Sequence, residues 1–418
     1  MDEQIIPPLK SSMRALLRVS LFVILAVSSA VAEEAPPTRN LGRVFAKLKA
    51  GQETTIAYFG GSITAANGYR VKTFNWFKES FPQAKLVEVN AAIGGTGSDL
   101  GAFRCGSDVI AKRPDLVFLE FTLNDGHPSN EFRKATVEGI VRQLWASPSQ
   151  PEIVFLYTTS RALNHPRVSY PAVAKYYGIP EIDLQPTLVE AAKRTDLPKP
   201  TAEQLADKVK FDWTQPGQVF MGDAVHPNEL GHTLYTETIV AWLKTQVDAA
   251  PSAAPRLGAP FVSEEFAHVA LVPPSKAKLT GDWETLAADP KSGKIGRYTE
   301  GAINARQPGD ALEFEFDGTA LGVYLNVQAD GGKFEWIIDD GVSAPGDSAY
   351  GGPRGTKKGT VDTAPGKYFP RYNYALFTTG LAAGKHTLRL RVLPEHDATS
   401  TGNRVLIGYF MVGGLPGR

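Results

Sequence analysis

The chain has 418 residues, 43% of them hydrophobic and 21% charged, with 44 basic residues balancing 44 acidic ones. That length exceeds what one hydrophobic core usually organises, so two domains are expected, each able to bury a sizeable interior. The charge balance excludes the basic excess that nucleic acid or an anionic membrane surface would demand of a main partner.

At the start, Lys10, Arg14 and Arg18 precede an apolar run from Leu21 to Ala32 that is too short to span a bilayer. The small residues Ala30-Val31-Ala32, followed by Glu33-Glu34-Ala35-Pro36-Pro37, make residues 1–32 read as a secretory signal peptide, with Met13 as an alternative start. The expected location is periplasmic or extracellular, with no membrane association after cleavage. Export permits disulfides, yet Cys105 is the only cysteine, so no intramolecular bridge can form. Within Leu100-Gly101-Ala102-Phe103-Arg104-Cys105 it reads as a small buried filler on a helix. No Cys/His cluster has zinc spacing, and neither a metal nor an organic cofactor is expected.

From Thr54 to Lys244 short β-rich runs alternate with longer amphipathic ones, the pattern of a layered α/β sheet. Strands are expected at Thr55–Phe59, Leu86–Asn90, Leu116–Phe121, Ile153–Thr158 and Ile179–Asp183, apolar enough throughout to be parallel and covered on both faces. Apolar spacings of three and four predict helices at Val71–Phe81, Ser98–Lys112, Glu131–Trp145 and Leu188–Arg194, with Leu230–Val247 closing the domain. The Ala/Pro-rich stretch 248–260 reads as a linker. Beyond it, alternating runs at Leu312–Phe316, Ala320–Val327, Lys333–Asp339 and His386–Leu393, separated by Gly-containing turns, predict an antiparallel β-sandwich over 261–418. The first domain then occupies 38–247.

Four short segments carry candidate chemistry. Gly60-Gly61-Ser62 follows the first strand, and ligands of open α/β sheets bind beyond strand carboxyl ends. On its own, Gly-Gly-Ser is more often only a turn. Asn90-Ala91-Ala92-Ile93-Gly94-Gly95-Thr96-Gly97-Ser98 follows the second strand; it lacks the residues of a phosphate cradle and suits an amide donated to an oxyanion better. Thr122-Leu123-Asn124-Asp125 ends the third, where Asn124 is either a side-chain donor or part of a turn or helix cap. Asp223-Ala224-Val225-His226 precedes the last helix and can set a carboxylate against one imidazole nitrogen, leaving the other for a serine proton; a metal-site fragment would need further ligands nearby.

In this order the four segments match the blocks of the SGNH hydrolases, also called GDSL esterases, and residues 54–245 resemble that family's flavodoxin-like three-layer α/β/α domain with a parallel sheet. The resemblance implies that Ser62 is the nucleophile, that His226 is its general base aligned by Asp223, and that Ser62, Gly95 and Asn124 form the oxyanion hole. Two departures stand out. The family's Gly-Asp-Ser is Gly60-Gly61-Ser62 here, a frequent variation in carbohydrate-directed branches, and its Gly-x-Asn-Asp begins with Thr122, which is expected to narrow the pocket floor. Neither removes a catalytic atom. Asp125 is read as holding its loop, His232 as packing a helix, and His127 and His165 as exposed loop residues.

An appended jelly-roll-like sandwich on an exported domain of this kind resembles the arrangement of esterases that deacetylate polysaccharides. An acylated carbohydrate is therefore the expected partner, and the oligomeric state is unreadable from sequence. Trp283, Tyr298, Tyr324, Trp336, Tyr350, Tyr368, Tyr372 and Tyr374 are candidates to face sugar rings, though only a minority is expected at any binding face. Residues 350–374 are a candidate long loop to ligand or to the catalytic rim, or else an ordinary surface loop. A lipid or small-acyl esterase is the first alternative, against which no apolar lid segment stands near Ser62. A non-catalytic glycan-binding envelope protein on the same scaffold is the second.

Overall fold

The computed structural model describes residues 1, 36–126, 131–164, 169–287, 301–343, 354–364 and 374–416. The expected leader lies outside these residues apart from Met1, as do His127, His165, Tyr298, Tyr350, Tyr368 and Tyr372. No helix among the described residues is long and apolar enough to cross a membrane.

Five parallel strands, β1 (Thr54–Gly60), β2 (Leu86–Asn90), β3 (Leu116–Glu120), β4 (Glu152–Tyr157) and β5 (Glu181–Asp183), form a sheet in the order β2-β1-β3-β4-β5. Every residue of β1, β3 and β4 is buried, as their near-continuous apolar character requires. The edge strands β2 and β5, which carry Glu88, Glu181 and Asp183, are covered only in part and depart from the expectation that all five are. Alternate side chains leave opposite faces. Ile56, Tyr58, Leu116 and Phe118 pack with residues of α1 (Gly42–Lys49), α3 (Tyr69–Ser80), α8 (Gln185–Ala191) and α10 (Glu229–Gln246). Ala57, Phe59, Val117 and Leu119 pack with α4 (Ser98–Asp108), α6 (Glu131–Ala146) and α7 (Tyr170–Tyr177). The result is a three-layer α/β/α half. Three short helices, α2 (Ser62–Ala65), α5 (Thr122–Asp125) and α9 (Ala202–Ala206), lie in its loops.

Boundaries differ from the sequence expectation where proline intervenes. Pro180 has no amide to give the ladder, so β5 begins at Glu181 rather than Ile179. Pro186 in the first turn starts α8 three residues before the apolar spacing does. The helix expected to run to Lys112 breaks after Asp108 into a separate 3₁₀ turn at Ile110–Lys112. Cys105 is fully buried, and burial pushes its thiol far up, away from any thiolate chemistry.

The C-terminal half is a β-sandwich. One sheet has the order β13-β12-β15-β10-β7 and the other β14-β11-β16-β9-β8, with β6 also paired to β16. The strands are β6 (Val269–Val272), β7 (Lys278–Thr280), β8 (Glu284–Ala287), β9 (Gly301–Ala305), β10 (Ala311–Asp317), β11 (Ala320–Leu325), β12 (Lys333–Ile338), β13 (Lys358–Asp362), β14 (Tyr374–Thr378), β15 (Lys385–Val392) and β16 (Val405–Gly413). Leu312, Phe314 and Phe316 alternate inward along β10, and Phe314 stacks on Phe410 of the facing sheet at 3.9 Å between ring centroids. Tyr324, Trp336 and Tyr374 are buried, and Trp283 is half-buried with Nε1 donating to the Ala311 carbonyl at 3.0 Å. These four are therefore packing residues rather than exposed sugar platforms.

The two halves share an interior. All of β16 is buried because Phe410 and Val412 enter the sandwich core while Tyr409 and Met411 join the cluster of α4 and α6. Phe266 packs edge-on against Phe103 and Phe132, and Gly139 admits it only because a Cβ there would stand 2.4 Å from the Phe266 Cβ. Buried Glu138 accepts the amides of Phe261, Val262 and Ser263 and the Tyr177 hydroxyl, fixing the point where the chain enters the sandwich. Residues 248–260 form no helix or strand but lie along the α/β half, held by Arg39 to the Ala253 carbonyl at 2.7 Å and Arg142 to that of Gly258 at 3.1 Å.

Candidate active site

Because β1 is flanked by β2 and β3, the loops leaving these three strands meet at one edge. Close approach forces the two glycines at the end of β1. A Cβ on Gly60 would fall 2.5 Å from the Glu120 carbonyl oxygen and from Thr64 Oγ1, and one on Gly61 would fall 2.1 Å from Asn124 Oδ1. The second glycine thus lets the Asn124 side chain lie directly against the backbone before Ser62. Ser62 is the first residue of α2, so its amide has no acceptor within that helix.

Ser62 Oγ lies 2.6 Å from His226 Nε2, and His226 Nδ1 lies 2.7 Å from Asp223 Oδ2. Asp223 Oδ1 accepts the amides of Val225 and His226, each at 2.8 Å. Burial pushes the Asp223 carboxyl up, but those amides and the imidazole outweigh it and hold it below the usual carboxylate range. An ionised Asp223 accepting from Nδ1–H leaves Nε2 unprotonated and able to take a proton from Ser62 Oγ. The His226 and Asp223 side chains are 40% and 38% exposed, so the pair is open to a solution ligand. Its loop is tied at both ends: the Gly222 amide donates to the His226 carbonyl at 2.7 Å, and the Arg161 amide to that of Ala224 at 2.9 Å. Asn228 then caps α10 by accepting the Gly231 amide at 3.1 Å.

On the other flank, Gly95 adopts φ 76° and the loop after β2 passes so close that a Cβ on Gly94 would stand 3.5 Å from Ser62 Cβ. Asp125 Oδ1 accepts the Ser98 amide and its Oδ2 the Tyr170 hydroxyl, both at 2.8 Å, which locks the Gly95 loop to the Asn124 loop. Burial raises the Asp125 carboxyl despite the opposing Arg133 guanidinium. Thr122, which opens α5, is buried. His232 Nδ1 accepts the Tyr69 amide at 3.2 Å, and burial pushes its imidazole down to about 4, so it is a neutral packing group.

Ser62 and the local Asp223–His226 pair, with Ser62 and His226 164 residues apart in sequence, thus form one hydrogen-bonded chain, with Gly94-Gly95 and Asn124 on either side of Ser62. Sequence reasoning missed two buried ionisable side chains supporting them. Glu120 receives the hydroxyls of Thr64 at 2.8 Å and Thr158 at 2.9 Å, and the Gly61 amide donates to its carbonyl at 3.2 Å. Burial pushes its carboxyl up to about 7. Arg104 reaches the carbonyls of Ala91 and Gly60, bracing the first two loops from α4. A lone charge ending an apolar strand and another amid Leu100–Cys105 were the available signals. No group of three or more His, Cys, Asp or Glu among the described residues is arranged to hold a metal ion.

Residues 58–234 match the GDSL-like Lipase/Acylhydrolase family. A crystal structure of a two-domain esterase active on acetylated mannans, co-crystallised with mannopentaose, superposes with a TM-score of 0.72 at 21% identity, covering 92% of this chain and 98% of that one. A second crystal structure of a two-domain esterase active on acetylated mannans gives 0.71 at 21% identity, with coverage of 92% and 99%. At that identity the likeness establishes the fold, and it extends over both halves. No curated protein matches the chain in sequence.

Proposed function

We propose, for a chain whose residues 58–234 are a GDSL-like acylhydrolase domain, that it is an exported serine esterase removing O-acetyl groups from a polysaccharide or oligosaccharide. The observation that carries this reading is the Ser62–His226–Asp223 hydrogen-bonded chain set beside Asn124 and the Gly94-Gly95 loop, whose Gly94 approaches Ser62. His226 Nε2 takes the Ser62 proton as Oγ attacks the ester carbonyl. The amides of Ser62 and Gly95 and the Asn124 side chain receive the developing oxyanion, each such donor contributing about 3 kcal/mol in a water-poor site. His226 returns the proton to the departing sugar oxygen, which leaves as a free hydroxyl, then activates water to release acetate from Ser62.

A sugar rather than a lipid ester is supported by the fold shared over both halves with an esterase active on acetylated mannans. In this reading residues 1–32 are the leader, 38–247 the catalytic domain, 248–260 the strap between domains and 261–418 the sandwich. The test is acetate release from a panel of acetylated mannan, xylan, xyloglucan and pectin. Release from at least one glycan, abolished by Ser62→Ala in a folded protein, is the expected result; hydrolysis of lipid esters alone would overturn the substrate class.

A further inference from the structure

Tyr374 opens β14, in the C-terminal sandwich, yet its hydroxyl donates to Asp99 Oδ1 of α4 at 2.7 Å across 275 residues of sequence. Asp99 Oδ2 lies 2.9 Å from an Arg133 guanidinium nitrogen, and the same nitrogen stands 3.5 Å from Asp125 Oδ1. Asp125 is the neighbour of Asn124 and already holds the Ser98 amide, three residues beyond Gly95. Tyr374, Asp99 and Asp125 are each less than 10% exposed. The crowding is close: a Cβ on Gly97 would fall 2.5 Å from Asp125 Oδ1 and 2.9 Å from Asp99 Oδ1. Two carboxylates therefore share one guanidinium where little water reaches to screen them, and the arrangement depends on every remaining donor. Tyr374 is the donor that the sandwich supplies.

We propose that Tyr374 is a positioning residue of the catalytic site: by fixing Asp99 and Arg133 it sets Asp125, and through it Asn124 and the Gly95 loop. The sandwich on this account completes the oxyanion hole from behind instead of acting as a detachable sugar-binding module. Tyr374 touches no reacting atom, so its influence passes through Asn124. The inference rests on the esterase reading above.

The experiment compares wild type, Tyr374→Phe, Asn124→Ala and the double variant on a chromogenic acetyl ester, with Ser62→Ala as reference. Phe keeps the ring in its packing and removes only the hydroxyl. The expected result is a ~10-fold lower kcat with KM unchanged, since small misplacements of catalytic groups act on the chemical step, and no further loss when Tyr374→Phe is added to Asn124→Ala. An unchanged kcat, a loss carried by KM, or a loss that multiplies with that of Asn124→Ala overturns the proposal. Asp99→Asn, which keeps an acceptor for Tyr374 but removes the charge facing Arg133, is read by the same criteria and decides the matter if Tyr374→Phe fails to fold. Ser62→Ala with wild-type activity would overturn the esterase reading itself, whereas an inactive Ser62→Ala beside a normal Tyr374→Phe overturns the positioning role alone.

Discussion

Glu120→Gln is expected to stabilise the protein progressively relative to wild type as pH rises from about 4.5 to above 7. Glu120 is wholly buried at the end of β3, and its carboxyl rises from an ordinary 4.5 to about 7, chiefly because burial disfavours its charge. The Thr64 and Thr158 hydroxyls favour the charged form without cancelling that effect. Between those values the folded protein keeps a proton that the unfolded chain has lost. The group's stabilising contribution is therefore complete below 4.5 and gone once pH passes 7. The whole gap corresponds to about 3 kcal/mol. Gln has the same shape and no titration. Its amide can accept from Thr158 and donate to Thr64 Oγ1, which in turn can donate to the Tyr69 hydroxyl 2.7 Å away. Urea unfolding at pH 4.5, 6 and 8 reads the effect directly as the difference between variant and wild type at each pH. A difference that stays constant across this range would refute the reasoning, because it would mean Glu120 is ionised in the folded protein throughout.

Asn124→Ala is expected to lower kcat by about 10²–10³ with little change in KM, the cost of one oxyanion donor; steady-state kinetics on an acetyl ester checks it. Gly61→Ala places a methyl 2.1 Å from Asn124 Oδ1, and that flexible side chain must yield. Its kcat should approach that of Asn124→Ala while thermal unfolding changes little, and the two substitutions together should do no more than one. Asp223→Asn removes the charge that fixes the His226 tautomer and should cost roughly 10⁴ in kcat, with circular dichroism confirming an intact fold.

The α/β half was legible because β1, β3 and β4 are near-continuous apolar runs, and because three of the four functional segments follow strands directly. Gly60-Gly61-Ser62 is informative as a trio, since the structure gives each glycine a steric reason. Asp223 and His226 sit within one turn, so their pairing follows from local geometry. What escaped the sequence depends on contacts between distant segments. Glu120 is a single charge inside an otherwise apolar run, and only the fold brings the Thr64 and Thr158 hydroxyls against it. Nothing local links Tyr374 to Asp99, 275 residues earlier. β16 could not be read as alternating because its two faces enter two different cores. Only a minority of the sandwich aromatics was expected to face sugar, and which of them pack instead is decided by the fold: Tyr324, Trp336 and Tyr374 are buried.

The central claim is that Ser62 is an activated nucleophile, and its reaction with a fluorophosphonate probe tests that most directly. Incubation of the folded protein should yield a single adduct, located by peptide mass spectrometry on Ser62, absent in Ser62→Ala and strongly slowed in His226→Ala. An unlabelled wild-type protein, or labelling that survives Ser62→Ala, would contradict the account.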